Sequence, residues 1–389
     1  MKYIHHFVIS LISILTFVGL FNWLVDPYGL HWSPQIEGIN SNKVEAGTRS
    51  RLTKKEVIKS IKPQVVLIGN SRVEMGIDPA SNWLKDKSVY NFGIPGLGLQ
   101  FQLQNALSQL KDNENLELLI ISVDYLDFLY NRQTLALPKP PQHNPLSLES
   151  QSDISNLLEK VPLLFSIDAL KSSLITLLAQ NSSSSAITHL GFNNGKHFYK
   201  TVEVEGKAPL FKQKLNQLVS RLKDKGYQHK SRHWQSLDPN MLALQELFTL
   251  ANNKQVSIRM FINPYHFSYL HLLNDLGYWQ DFIHWKTSLA EVIGQSTSIY
   301  DFSGLNQYTL EPVTLEQPKN AMNWFWEPAH YRKELGELVL EEMLLNKTDK
   351  GFGRALNKDT SQHLIAQDNE MLKTSAKSWE KLKSALSIN

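Results

Sequence analysis

Val65-Val66-Leu67-Ile68-Gly69-Asn70-Ser71-Arg72 decides how the rest of the chain is read. Four consecutive apolar, mostly β-branched residues suit a strand buried on both faces, the kind found in parallel sheets. Open α/β sheets place their sites at the carboxyl ends of the strands, which is where Gly69-Asn70-Ser71 puts a hydroxyl. Ser71 has two readings: a nucleophile, or the N-cap of a helix that follows the strand.

Working outward, further apolar runs alternate with helical spacing. Gln64–Gly69, Ser88–Phe92, Leu116–Val123, Val256–Ile262 and Ser298–Phe302 read as five strands. Leu97–Leu110, Leu210–Leu222, Met241–Asn252, Tyr278–Ile293 and Leu335–Leu345 read as helices. Such alternation implies a parallel sheet with helices on both faces. Between about residues 131 and 255 the rhythm breaks. Leu137-Pro138-Lys139-Pro140-Pro141 is a loop, Ile154–Ala179 is helical in pattern and Asn181–Ser185 is a flexible tip, so this stretch reads as a helical insertion.

The amino-terminal Phe7–Val25 is an uncharged run of apolar residues ending at Asp26-Pro27. It is long enough to cross a bilayer and lacks a small-residue cleavage pattern, so it is expected to be a signal-anchor. A removed signal peptide and a buried hairpin helix are the alternatives. The organisation expected is a cytoplasmic N-terminus (1–6), a transmembrane segment (7–25), a connector (26–60), an α/β domain (61–346) and a polar tail (347–389) carrying an amphipathic helix from Ser361 to Leu386. The large domain would lie in the periplasm or outside the cell. With 389 residues, 42% of them hydrophobic, the chain can bury a sizeable core. A net charge of +3 spread along the chain gives no electrostatic footprint for nucleic acid. With no cysteine there are no disulfides or thiolate metal sites.

The chemistry-bearing residues recur late in the chain. Glu327-Pro328-Ala329-His330 offers a base and an acid three residues apart. A serine hydroxyl needs such a base, and the base needs a carboxylate to fix its tautomer. Asp301, after the fifth strand, is the reserve acid. Glu327 also suits the first turn of a helix. Arg72 reads as an anion contact or a structural ion pair. Trp324 and Trp326 read equally as a sugar-binding surface or a core cluster. His266 is given no catalytic role, Asp124 and Asp127 are expected to tie down loops, and His5-His6 has too few neighbouring ligands for a metal. No metal or cofactor is expected.

Taken in order, Asp26-Pro27-Tyr28-Gly29, Gly69-Asn70-Ser71-Arg72, Gly76-Ile77-Asp78-Pro79, Tyr90-Asn91-Phe92-Gly93, Asp124–Phe128, Asp301-Phe302-Ser303-Gly304 and Glu327–Tyr331 resemble the blocks of SGNH/GDSL-type hydrolases. The resemblance is to their membrane-anchored branch associated with bacterial exopolysaccharide acetylation, and it covers most of residues 20–345. It implies an α/β/α sandwich of about five parallel strands carrying a Ser-His-acid site for acyl-ester chemistry at O-acetyl groups on sugars. It also implies a membrane-bound acyltransferase as the partner supplying the acyl group. On that resemblance Ser71 is the nucleophile, His330 the base and Glu327 the acid, with the N–H groups of Ser71 and Gly93 as oxyanion donors. The chain departs from the pattern in having glutamate for aspartate at 327 and no Gly-x-Asn after the third strand. Asn70 or Asn263 could supply the missing side-chain donor. Transferase, esterase, a degenerate polysaccharide-binding scaffold and a plain anchored interaction domain all remain open at this point.

Overall fold

The computed structural model describes residues 2–30, 32–129, 160–181, 187–224, 239–293, 299–346 and 351–388. The loop at 137–141 and the tip at 182–185 lie outside them. Two compact units emerge, one from Met1–Ile61 with Leu148–His189, the other from Lys62–Ser147 with Leu190–Asn389.

The larger unit is α/β. Its strands are β1 (Val65–Ile68), β2 (Val89–Asn91), β3 (Leu118–Val123), β4 (Ser257–Ile262), β5 (Ile299–Asp301), β6 (Phe325–Glu327), β7 (His330–Tyr331) and β8 (Arg354–Leu356). Six of them form one sheet in the order β2-β1-β3-β4-β5-β8. The first five are parallel, and β8 closes the edge antiparallel to β5. Leu67 lies beside Asn91 on one side and Ile120 on the other. The chain therefore leaves β1 toward β2, then returns across it to β3. The reversal of direction falls at the carboxyl end of β1, the position at which doubly wound sheets hold their ligands.

All four residues of β1 are buried, as are the last five of β3, which explains why both are apolar throughout. One core cluster joins Leu67, Ile120 and Phe261 from the sheet to Leu335, Val339 and Met343 of the helix Lys333–Leu345. The helix Ser71–Gly76 enters this cluster through Val73. It also abuts the later helix: a Cβ on Gly336 would collide with the carbonyl of Gly76, so only glycine permits this approach.

Residues 351–388, read above as a polar tail, form β8 and the helix Ser361–Leu386. That helix buries Leu364, Leu372, Trp379 and Leu386 on one stripe. The stretch read as one insertion divides. Its helices Lys196–Glu205, Lys207–Asp224 and Pro239–Asn253 belong to the larger unit, whereas Ile167–Leu178 belongs with the amino-terminal unit.

In that smaller unit the helix Lys2–Val25 is the one described helix long and apolar enough to cross a membrane. Its last turns are built into the unit: Gly19, Asn22 and Val25 are buried. Asn22 Nδ2 donates to Leu164 O and Oδ1 accepts from Ser173 Oγ, both at 2.8 Å. The connector carries the helix Ser50–Ile61, and Asp26 accepts from Leu30 N and pairs with Lys43.

Candidate active site

Ser71 is the first residue of its helix, so its N–H belongs to the first-turn donors that no helical carbonyl reaches. Asn70 caps that helix: its Oδ1 accepts from Arg72 N at 3.0 Å. Ser71 is thus held at a strand-to-helix corner with its hydroxyl partly exposed.

The base and acid come from a hairpin. Pro328 and Ala329 join β6 to β7, and Glu327 stands opposite His330 in the ladder. Directly opposed residues share a face, so the carboxylate and imidazole meet across the turn. His330 Nδ1 donates to Glu327 Oε1. Ser71 Oγ lies 2.7 Å from His330 Nε2. Glu327 Oε2 also accepts from Ala329 N at 2.8 Å. Burial alone would push the Glu327 carboxyl up. The charge and hydrogen bond of His330, with the Ala329 N–H, outweigh this and hold it below its ordinary value. Glu327 is fully buried, while the His330 side chain keeps 16% of its surface open. The carboxylate is shielded, while Ser71 and His330 are both partly open to solvent.

Several expected roles are corrected. Asp301 does not approach His330: its carboxylate is taken by Lys286 at 2.6 Å and by Arg354. Asn70 Nδ2 uses one of its two N–H groups on Asp124, which fixes the amide and leaves a single N–H for any oxyanion. The Gly93 N–H is bonded to Asn91 Oδ1 at 2.9 Å. Gly93 nevertheless lies against the serine corner, since a Cβ there would come within 2.6 Å of Glu74 N and 3.0 Å of Asn70 O. Asn263 is buried, accepts from Tyr331 at 3.1 Å, and its Nδ2 has no partner among the described residues. Trp326 is buried, stacked on Phe198 at 5.7 Å between centroids. Trp324 packs edge-on to Tyr308 and is half-buried. Trp326 therefore serves the core, while Trp324 packs against the core's edge and keeps part of its surface open.

Arg72 takes the structural reading. It is buried, pairs with Asp124 at 3.1 Å, donates from Nε to Ala329 O at 2.8 Å, and lies over the Tyr265 ring. His266 caps the helix Phe267–Asp275 and is bonded to Ser268 and to Glu311 O. Asp124 ties Asn70, Arg72 and Tyr265 together, in keeping with its expected loop role.

Sequence reasoning missed one wall of the site. Asn193 N donates to Glu74 O at 2.9 Å, docking the chain before helix Lys196–Glu205 onto the serine helix. Phe198 from that helix lies 6.1 Å from the His330 ring. His197, beside it, is pushed below its ordinary value by burial and then by the charge of His330. Nothing local in the 190s announces this contact. Among the described residues, no group of three His, Asp or Glu is arranged to hold a metal ion. Comparison with protein-family models, curated proteins and solved structures finds no match for the chain.

Proposed function

We propose that the chain is a membrane-anchored serine acyl-ester enzyme with an SGNH-like α/β/α site. The observation that carries this is the continuous relay from Ser71 Oγ through His330 to a buried Glu327. A serine hydroxyl at neutral pH becomes nucleophilic when an imidazole can take its proton. In the reaction envisaged, His330 Nε2 accepts the Ser71 proton as Oγ bonds to the ester carbonyl carbon. The imidazolium, stabilised by Glu327, then returns the proton to the departing alkoxide. Water or a sugar hydroxyl enters second and releases the acyl group. Oxyanion stabilisation would come from the N–H of Ser71 and from that of Gly93 once it turns from Asn91 Oδ1.

The resemblance stated above supports polysaccharide O-acetyl groups as substrate, as a transferase or an esterase, with a membrane-bound acyltransferase as acyl donor. The integration of Gly19 and Asn22 into the folded unit supports a retained anchor over a removed leader. That reading puts a single-pass protein in the cytoplasmic membrane with the α/β unit outside the cytoplasm. The engaged state of the Gly93 N–H favours a second reading, a catalytically degenerate scaffold that binds polysaccharide or organises a synthesis complex.

Labelling by a fluorophosphonate, together with hydrolysis of an activated acetyl ester, separates the two. The enzyme reading expects labelling and turnover that are abolished in Ser71→Ala and His330→Ala. Absence of labelling, or equal turnover in Ser71→Ala, decides for the scaffold.

A further inference from the structure

The helix Ile167–Leu178 is amphipathic in the wrong sense for water. The side facing the protein carries Ala169, Ser172, Ser173 and Thr176. The side facing out carries Ile167, Leu174, Ile175 and Leu178, of which Ile167 and Leu178 are 83% and 88% exposed, with Asp168 at its amino-terminal edge and Lys171 among them. A surface helix of a water-soluble unit shows the reverse, with its apolar stripe inward. Small and hydroxylated residues at a helix contact, with apolar ones outside, are the pattern of helices packed within lipid.

Its partner points the same way. The helix packs against Lys2–Val25, whose own apolar residues are exposed along most of its length. The joint is made by Gly19, where a Cβ would collide with Phe165, and by the buried Asn22–Ser173 hydrogen bond. At 1.5 Å per residue, Gly19 and Asn22 lie roughly 9 and 5 Å short of the end of the long helix. That is the outer edge of the hydrocarbon layer when the long helix spans it. Twelve residues rise only about 18 Å, too few to cross, so the short helix lies in the boundary. Lys171 is the one basic residue on its outward side and has the reach to snorkel to headgroups.

We propose that Ile167–Leu178 is a second membrane-contacting element, its outward stripe in contact with lipid acyl chains beside the anchor. The proposal rests on the anchor reading but is independent of the chemistry at Ser71. The absence of cysteine in the chain makes the test direct. Full-length variants Leu174→Cys, Leu178→Cys, Leu11→Cys and Lys85→Cys are each given a nitroxide and reconstituted into phosphatidylcholine–phosphatidylglycerol vesicles. Collision with oxygen, which concentrates in lipid, is compared with collision with a water-soluble nickel complex. The labels at 174 and 178, read independently, should shift toward oxygen as at 11 and away from the aqueous behaviour at 85. If 11 reports lipid while 174 and 178 report water, the inference is overturned and the anchor stands. Shielding of 174 and 178 from both reagents overturns it in favour of a covering protein. An aqueous signal at 11 overturns the anchor and the inference together.

Discussion

Arg72 donates from Nε to the carbonyl of Ala329 at 2.8 Å, so the residue after the serine holds the residue before the histidine. The same guanidinium is pinned by Asp124 at 3.1 Å. The planar fork serves both contacts at once, which a lysine ammonium cannot reproduce. Arg72→Lys should keep the charge and the fold yet slow acetyl-ester hydrolysis by about tenfold or more through kcat, because small misplacements of reacting groups are costly. Arg72→Ala should also leave Asp124 buried without its cation, at a cost of roughly 3–5 kcal/mol in urea denaturation. A wild-type rate in Arg72→Lys would show that this tie does not set the geometry.

Glu327 and His330 face each other across the hairpin turn, and on the proposed acyl-ester reading the carboxylate orients the imidazole. Glu327→Gln preserves shape and removes charge, so the imidazole loses the partner that fixes its tautomer. The expected loss in kcat is on the order of 10³–10⁴-fold, with KM little changed. Stability should follow the proton. The Glu327 carboxyl is held below its ordinary 4.5, so its contribution is present above that value and is lost as pH falls through the folded one. The stability gap between wild type and Glu327→Gln should therefore narrow on acidification through that window. A gap that widens would contradict the assignment.

The strands and the grouping of Ser71, Glu327 and His330 were legible because each had a local signal. Val65–Ile68 and Leu118–Val123 are apolar runs of strand length, and all five parallel strands fall within a residue or two of their expected ranges. Ser71, Glu327 and His330 were named by residue type, and the fold brings them together. Glu327 was also weighed as a helical acid, because β6 and β7 have three and two residues, too few to show a period of two. The pairing of Arg72 with Asp124, and the docking of Asn193 on Glu74, join positions 52 and 119 apart. Such contacts follow from the topology, and no spacing in the chain encodes them. The segment 351–388 looked like a tail because its polar and charged residues together outnumber its apolar ones. Two of those charges, Arg354 and Asp368, are neutralised inside the fold.

His266 gives a second handle on pH. Burial pushes its imidazole down to about 4 from the usual 6.5. A neutral buried histidine that charges freely when unfolded stabilises the fold fully above 6.5. That contribution is lost as pH falls toward the folded value, by up to roughly 3 kcal/mol. Urea denaturation at pH 7, 6 and 5 should show the decline, and His266→Asn, which keeps a capping side chain, should flatten it. An unchanged slope in that variant would place the loss elsewhere.

Lys286 sits between two carboxylates, 2.6 Å from Asp301 and 2.7 Å from Asp368. Arg354 reaches the same pair, at 2.7 Å to Asp368. Four charges from β5, β8 and the helices Trp279–Val292 and Ser361–Leu386 thus cancel in the interior, clamping the last segment to the sheet edge. Burial would raise the Asp301 carboxyl, but Arg354 and Lys286 hold it well below the usual range. Removing one member leaves an uncompensated buried charge, which costs roughly 3–5 kcal/mol. Lys286→Met should show that loss in urea denaturation, and Lys286→Met combined with Asp368→Asn should recover part of it, since Arg354 and Asp301 then remain as one balanced pair. Truncation after Asn346 removes Arg354, Asp368 and the buried Trp379 together. The truncated chain should lose its cooperative unfolding transition. A truncated chain that unfolds as sharply and at the same urea concentration as the full one would show that the clamp is dispensable.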